Sequence, residues 1–216
     1  MTSFELGEDP WVGSGLYRLQ EEAFGNSGFA LGASELIDVL VHRSSSTFWR
    51  GRMYQGGSRV PRGSTFHFSD DSLTAWLDEC HVRAYKLGLG TWTTAEVHIY
   101  PDRPGRLELF EEELLERMPD GHWYPGARPS GASAWAQQLL AFPRSKDSIP
   151  RWMWDIFRAE DVSPPLYNPE FNSVDWKNRR RPVTDRGTDF TVEPTIIDPS
   201  LEPGVFAKIG RKLFGG

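Results

Sequence analysis

The sequence predicts an α+β protein: an antiparallel sheet of about four to six strands with one central amphipathic helix packed on one face. Three observations predict this class. Short segments with strand-like alternation follow one another through polar or glycine-rich links, which is typical of antiparallel pairing. Residues 70–87 have the apolar periodicity of a helix instead. Residues 161–216 are rich in proline and show little periodicity, which predicts an extended Pro-rich C-terminal arm.

Composition bounds the size of the core and the class of partner. The chain has 216 residues, of which 38% are hydrophobic and nine are Trp, enough for one packed α+β domain over residues 1–160 followed by the arm over residues 161–216. The formal net charge is −6. Residues 1–160 carry this charge, with 22 acidic and 16 basic residues, whereas the arm holds eight of each. An acidic domain disfavours binding to nucleic acid and suits a basic protein partner.

Cysteine usage and the N-terminal residues predict the compartment. Cys80 is the only cysteine, which excludes an internal disulfide and favours a reducing environment. Residues 1–10 lack the basic region and apolar run of a signal peptide. No apolar run approaches the length of a membrane span. We therefore expect a cytoplasmic protein with no membrane partner.

The segments before the central helix predict one helix and several strands. Leu16, Leu19, Ala23 and Phe24 have helical spacing and precede the helix-ending pair Gly25-Asn26. Alternation and aromatic content then predict strands over residues 35–42, 47–54 and 65–68. Links between these strands are short, so neighbouring strands should pair antiparallel.

The central helix is well specified by its ends and its apolar stripe. Ser69 or Asp70 can cap its N-terminus, and Gly88 and Gly90 can end it. One apolar face at helical spacing is formed by Leu73, Trp76, Leu77, Cys80, Ala84 and Leu87. Because Cys80 lies on this face, we interpret it as a buried structural thiol rather than a nucleophile.

A β-hairpin should follow the central helix. In residues 91–100 one face contains Thr93, Ala95, Val97 and Ile99, and the other contains Trp92, Thr94, Glu96, His98 and Tyr100. Residues 101–105 have the composition of a hairpin turn, and residues 106–111 form the returning strand. Two further helices are predicted over residues 133–142 and 149–158, near the edge of the sheet.

A dense group of carboxylates follows the hairpin: Glu108, Glu111, Glu112, Glu113, Glu116 and Asp120. Such a group can mimic phosphate and cover the basic active site of a nuclease. Its other interpretation is a solvated hairpin end and helix start. The spacing matches no metal-binding loop, so we predict no metal ligand in this group.

Glu96 and His98 share one strand face, and Glu108 lies across the hairpin from them. A carboxylate beside a histidine can perform general acid–base catalysis, but the same residues also suit the ordinary polar face of an antiparallel sheet. The five histidines show no zinc spacing with Cys80 or with each other. Nucleotide-binding and hydrolase motifs are also missing from the sequence. We therefore predict no catalytic residue, no metal and no cofactor, and interpret the chain as a non-enzyme.

Two stretches around the central helix carry a family resemblance. They are Phe68-Ser69-Asp70-Asp71-Ser72-Leu73 and Leu89-Gly90-Thr91-Trp92-Thr93-Thr94-Ala95-Glu96-Val97-His98-Ile99, followed by the acidic returning strand. Over residues 34–118 the chain resembles the YezG/EsaG-like immunity proteins. That resemblance implies a small acidic cytoplasmic antitoxin that neutralises a secreted polymorphic toxin, often a nuclease, without enzyme activity or a cofactor.

The leading hypothesis is therefore an immunity protein that binds a cognate protein toxin and covers its active site. The toxin is expected to be a nuclease rather than an NAD glycohydrolase. The predicted partner-binding residues are the carboxylates Glu108, Glu111, Glu112, Glu113 and Glu116, with Trp92 and Trp123 as anchors.

Two alternatives remain at this point. The first is an adaptor or structural component of a secretion or phage assembly, because Pro-rich arms become ordered on neighbouring subunits and can mediate self-association. In this setting the basic run Lys177–Arg181 would lie on the protein's own acidic surface or on a partner. The second alternative is a hydrolase that uses Glu96 and His98.

Overall fold

A computed structural model of the chain describes residues 6, 8–29, 36–43, 47–55, 58–59, 70–113, 120–122 and 129–183, with the backbone alone for 36–43, 47–55, 58–59 and 70–72. It confirms the α+β class. The described helices are α1 (Pro10–Phe24), α2 (Asp70–Arg83), α3 (Ala132–Ala141), the short 3-10 helix Lys146–Ser148, and α4 (Arg151–Ala159). The described strands are β1 (Leu36–Arg43), β2 (Thr47–Gln55), β3 (Ser58–Arg59), β4 (Thr94–Ile99), β5 (Arg106–Phe110), β6 (Leu166–Asn168), β7 (Ser173–Trp176) and β8 (Arg179–Pro182).

The larger sheet has the order β3-β2-β1-β4-β5, and every pairing in it is antiparallel. Strand β1 connects its two halves, because Val39 pairs with Gly51 of β2 and with Val97 of β4. The predicted strands 35–42 and 47–54 coincide with β1 and β2 to within one residue at each end. The predicted strand 65–68 lies outside the described residues.

Helix α1 contains the predicted helical residues Leu16, Leu19, Ala23 and Phe24 and begins before them, at Pro10. Asp9 caps it, since its Oδ1 accepts the backbone N–H of Trp11 at 2.8 Å, and Pro10 occupies the first turn. Gly15 is a poor helix former, but it lies where α1 meets α2. A Cβ at this position would come within 1.9 Å of Trp76 Nε1. The start of α1 therefore agrees with the local signals of Asp9 and Pro10, while close packing against Trp76 explains why glycine occupies position 15.

The first core lies between α1, α2 and the inner face of β4, as predicted for a helix packed on one side of a sheet. It contains Val12, Leu16, Leu19, Ala23, Leu73, Trp76, Leu77, Cys80, Ala84, Trp92, Ala95, Val97 and Ile99. Cys80 is fully buried, which confirms the structural interpretation, and burial raises the pKa of its thiol to about 12. A thiol with this pKa stays protonated at neutral pH and is a poor nucleophile.

The helical stripe ends earlier than predicted, and Leu87 is an exception to it. Helix α2 ends at Arg83, and the backbone N–H of Lys86 donates to the carbonyl of Gly90 at 3.0 Å. Gly88 in the resulting turn has φ +78°, a conformation that favours glycine. Leu87 is consequently exposed rather than part of the core.

The second core joins α3 and α4 with the small sheet β6-β7-β8. It contains Ala132, Trp135, Ala136, Leu139, Ile149, Met153 and Phe157, with Leu166 and Trp176 packed against it. Helices α3 and α4 match the predicted segments 133–142 and 149–158 closely. The first N–H of α3, at Ala132, donates to Glu160 Oε1 at 2.9 Å, so the end of α4 caps the start of α3.

The small sheet corrects part of the predicted extended arm. Residues 166–182 form three paired antiparallel strands instead of an extended segment. Lys177 and Asn178 both have positive φ and make the two-residue turn between β7 and β8. Arg180 and Arg181 of the predicted basic run are buried in this sheet. Residues 184–216, the rest of the predicted arm, lie outside the described residues.

The carboxylate of Asp175 organises the small sheet. Its Oδ1 accepts from Arg180 Nε at 2.7 Å and its Oδ2 accepts from Asn168 Nδ2 at 2.8 Å. The bond from Arg180 is the main reason why the pKa of Asp175 is lowered. A lowered carboxylate pKa contributes stability above the unfolded-state pKa, and this contribution disappears as the pH falls through the folded-state pKa.

We therefore expect Asp175→Asn to lower the melting temperature at neutral pH. The difference from the unmodified protein should shrink as the pH falls below the usual carboxyl range, because the unmodified Asp175 then also loses its charge. Thermal unfolding followed by circular dichroism across this pH range measures the effect. Glu170→Gln, at an exposed position in the preceding turn, is the control. A deficit that stayed constant with pH would contradict an electrostatic role for Asp175.

Candidate functional site on the outer face of the hairpin

The outer face of β4 and β5 carries the acidic and histidine side chains that the sequence placed there. Along β4, Ala95, Val97 and Ile99 are fully buried, whereas Glu96 and His98 point away from the core and are partly exposed. The antiparallel register pairs Glu96 with Glu108 of β5. The predicted common face of Glu96 and His98, and the position of Glu108 across the hairpin, are both confirmed.

These three residues form one compact group, which we call the carboxylate–histidine cluster. His98 Nε2 lies 3.8 Å from Glu96 Oε2. One donor atom from each of the three residues lies within 4.8 Å of the other two. Arg106 Nε lies 3.0 Å from Glu108 Oε1 at the rim of the cluster. The side chains are 12% exposed for His98, 23% for Glu96 and 37% for Glu108. Because His98 Nε2 itself is buried, the cluster faces solvent mainly on its Glu108 side.

The electrostatics of the carboxylate–histidine cluster favour a cation. Carboxylates directly opposite each other on neighbouring strands repel, and partial burial strengthens that repulsion. Arg106 offsets the charge of Glu108 on one side. The arrangement can therefore receive a further positive group, either a basic side chain or a metal ion. Acid–base catalysis would also require a substrate pocket at this place.

A cavity of about 520 Å³ lies elsewhere in the described part of the molecule. It lies between α1 and the hairpin turn and is lined by Gly13, Leu16, Tyr17, Gln20 and residues 101–105. None of the three cluster residues lines it. The cluster is thus a surface feature of the sheet rather than the wall of this cavity.

The structure assigns two of the predicted contact residues to internal bonds. Glu111 Oε1 accepts from Arg144 Nη1 at 2.5 Å. Glu113 Oε1 accepts the backbone N–H of Ser130 at 2.9 Å. Burial raises the pKa of Glu113, and the bond from Ser130 partly opposes this rise. Both carboxylates hold neighbouring segments of the chain together, and both are partly exposed; the prediction that the five glutamates form one contact surface stays a prediction.

The prediction that Trp92 is an anchor for a partner is corrected. Its side chain is 0% exposed and lies in the first core, where its ring centroid is 4.5 Å from that of His81. A side chain in this position stabilises the fold and cannot contact a partner at the surface. The other predicted anchor, Trp123, lies outside the described residues, as does Glu116.

Among the predicted glutamates, Glu108, Glu111, Glu112 and Glu113 are all partly exposed, and Glu108 and Glu112 lie outside the bonds to Arg144 and Ser130. Glu108 belongs to the carboxylate–histidine cluster, and Glu112 follows the end of β5. The carbonyl oxygen of Glu112 accepts from the hydroxyls of Thr93 at 2.9 Å and Thr94 at 2.8 Å, which fixes its backbone. Its side chain is partly exposed. A rigid backbone below an accessible carboxylate is a favourable arrangement for recognising a cation.

Arg144 is the important polar residue that sequence reasoning missed. Its side chain is fully buried, and it donates to Glu111 Oε1, to the carbonyl of Thr91 at 2.6 Å and to the carbonyl of Ser148 at 2.9 Å. Burial lowers the pKa of its guanidinium, while the bond and charge of Glu111 act in the opposite direction. No pattern around Phe142-Pro143-Arg144 indicates this role, because its bonding partners are distant in sequence or belong to the backbone.

Comparison of the chain with protein-family models, with curated proteins and with solved structures gave no match. Across the parts of the chain that the structure describes, no helix combines the length and the apolar character needed to cross a membrane. Geometry and charge therefore carry the functional argument.

Proposed function

We propose that this protein is a cytoplasmic immunity protein that binds a cognate toxin and covers its active site. The observation that supports this function is the acidic outer face of the hairpin. Glu96 and Glu108 lie opposite each other there, on the side of β4 and β5 away from the first core, and Glu112 follows the end of β5. A toxin that cleaves nucleic acid needs a basic active site to hold phosphate, so this face complements a nuclease better than an NAD glycohydrolase.

The internal bonds narrow the proposed contact surface. Glu108 and Glu112 are the described members that we propose as direct contacts, and Glu116 and Trp123 stay in the proposal on the sequence prediction. Glu111 and Glu113 contribute indirectly, because their bonds to Arg144 and Ser130 fix the segment that carries the contacts. The net charge of −6 would also accelerate the encounter with a basic toxin at low salt.

Charge reversal tests this surface. We expect the double variant Glu108→Lys/Glu112→Lys to weaken toxin binding about tenfold or more and to reduce its salt dependence, because close opposite charges across an interface become like charges. The partner is first isolated by pull-down from the native cytoplasm at low and moderate salt with mass spectrometry. Dissociation constants are then measured by biolayer interferometry at several salt concentrations.

The matched control for charge reversal is Glu21→Lys/Glu170→Lys. It changes the net charge by the same amount at exposed positions on other elements. Loss of affinity in the hairpin variant alone would support the proposed contact surface. Equal losses of affinity in both variants would show that only the net charge of the protein matters. Unchanged affinity in both variants would exclude the hairpin face as the contact surface.

A second candidate, an adaptor or structural component of an assembly, is favoured by a different surface. Leu87, Leu89 and Phe171 are each nearly half exposed. Gly88 lies beside the ring of Tyr167, whose hydroxyl is 3.2 Å from Asn172 Oδ1, so these apolar residues belong to one region. Light scattering of the full chain and of a chain ending at Val183 discriminates the two functions. A stable oligomer that requires residues 184–216 would favour the assembly component.

A further inference from the structure

We propose that the carboxylate–histidine cluster is a binding site for a divalent transition-metal ion, with Zn²⁺ as the best-matched ion. Glu96 and Glu108 would each supply a carboxylate oxygen and His98 an imidazole nitrogen. The site shares Glu108 with the proposed toxin-contact surface, but it is tested on the isolated chain, so its outcome does not depend on whether a toxin binds.

The distances within the cluster suit a metal ion closely. Zn²⁺ binds nitrogen and oxygen ligands at about 2.0–2.2 Å, so two ligands at a tetrahedral angle lie roughly 3.4 Å apart. The 3.8 Å between His98 Nε2 and Glu96 Oε2 is only slightly larger than this separation. All three donor atoms lie within 4.8 Å of one another.

The strands hold the three ligands in place before any metal binds. Glu96 and His98 are two residues apart on β4 and therefore share one face, and the register sets Glu108 directly opposite Glu96. Sites built on rigid strands lose less conformational entropy on binding than sites built on loops. Two carboxylates facing each other across the strands also repel, and a divalent cation between them removes that repulsion.

The donor set determines the kind of ion. An imidazole nitrogen favours Zn²⁺ and other first-row transition metals over Mg²⁺ and Ca²⁺, which prefer oxygen ligands. Three protein ligands leave at least one coordination position for water, as in open zinc sites. We therefore expect saturable binding of Zn²⁺ and at least tenfold weaker binding of Mg²⁺.

Arg106 allows a second prediction, in which a substitution strengthens metal binding instead of weakening it. Its guanidinium bonds Glu108 Oε1 at 3.0 Å and is itself 58% exposed at the rim. A metal ion competes with this positive charge for the same carboxylate. Replacing Arg106 with an uncharged residue should consequently tighten metal binding, whereas replacing a ligand should weaken it. Removing His98 takes away an imidazole ligand and no carboxylate, so a loss of acidic surface charge cannot account for weaker binding of the metal ion.

The experiment is a Zn²⁺ titration of the full-length, tag-free, metal-free protein, by competition with a chromophoric chelator and by isothermal calorimetry, with MgCl₂ as the comparison. We expect one strong Zn²⁺ equivalent per chain. His98→Gln and Glu96→Gln should each weaken it at least tenfold, and Arg106→Gln should strengthen it severalfold. The controls His122→Gln and Glu170→Gln alter exposed residues of the same types elsewhere. Far-UV circular dichroism verifies that each variant is folded.

Three results would overturn the site: no saturable Zn²⁺ binding, equal weakening in the ligand and control variants, or unchanged binding after His98→Gln. Substituting Co²⁺ provides a readout that folding defects cannot imitate. Its visible absorption reports the coordination geometry, and the tetrahedral bands expected for the unmodified protein should disappear in His98→Gln while remaining in His122→Gln.

Discussion

Replacing Arg144 with methionine should lower the free energy of unfolding by about 3–5 kcal/mol, the largest effect expected of any single substitution considered for this protein. The guanidinium is fully buried and donates to Glu111, to the carbonyl of Thr91 and to the carbonyl of Ser148. Methionine fills similar space but leaves these acceptors without that donor. Urea unfolding followed by tryptophan fluorescence measures the loss.

Arg158→Met is the matched control for Arg144→Met. Arg158 also forms an ion pair, with Asp155, but both side chains are more than half exposed. Surface pairs of this kind contribute about 0–1 kcal/mol, so the control should change stability little. If Arg144→Met and Arg158→Met lowered the free energy of unfolding equally, the buried bonds of Arg144 would not be a special source of stability. The double variant Arg144→Met/Glu111→Leu should recover part of the loss, because it also removes the carboxylate left without its buried partner.

Gly15→Ala should destabilise the protein by about 2–3 kcal/mol, although alanine is the better helix former. The added Cβ would lie 1.9 Å from Trp76 Nε1 and 2.2 Å from Trp76 Cδ1. Trp76 is 1% exposed and cannot move aside without disturbing the first core. Its indole N–H also donates to the carbonyl of Trp11 at 3.3 Å, a bond that a shift of α1 would break. Chemical denaturation provides the measurement.

Gly13→Ala is the control for Gly15→Ala and should have the opposite sign. Gly13 lies in the same helix, but a Cβ there meets nothing within 4 Å. The substitution should therefore stabilise α1 by roughly 0.5–1 kcal/mol through helix propensity alone. If both variants gained stability, α1 would pack less closely on α2 than described. If both lost stability, backbone effects rather than the contact with Trp76 would be responsible.

The elements predicted best are those whose signals are local. The apolar stripe of α2 and the alternation along β4 each repeat several times within one segment, so the buried positions of Leu73, Cys80 and Val97 follow from spacing alone. The small sheet was missed for the opposite reason, because β6-β7-β8 depend on Asp175 and on packing against α3 and α4. The start of α1 does have a local signal, the cap Asp9-Pro10, which the apolar spacing of the helix does not include.

The candidate site was predicted in part. Its outer face followed from the period of two along β4, which places Glu96 and His98 together. The carboxylates after the hairpin could not be sorted in the same way. Glu111 and Glu112 are neighbours in sequence, but Glu111 bonds an arginine 33 residues away. Only the folded chain distinguishes a carboxylate that holds the structure together from one that is available to a ligand.

The sequence by itself determined the α+β class, the acidic net charge, the helical stripe of α2 and the two faces of the hairpin. These properties depend on composition and on periodicities within single segments. The tertiary structure decided that Glu111 and Glu113 are held by internal bonds, that Trp92 is a core residue, and that Arg144 is buried. The physical reason is that ion pairs, cross-strand register and burial arise between residues far apart in the chain, and their positions are set by packing rather than by local sequence.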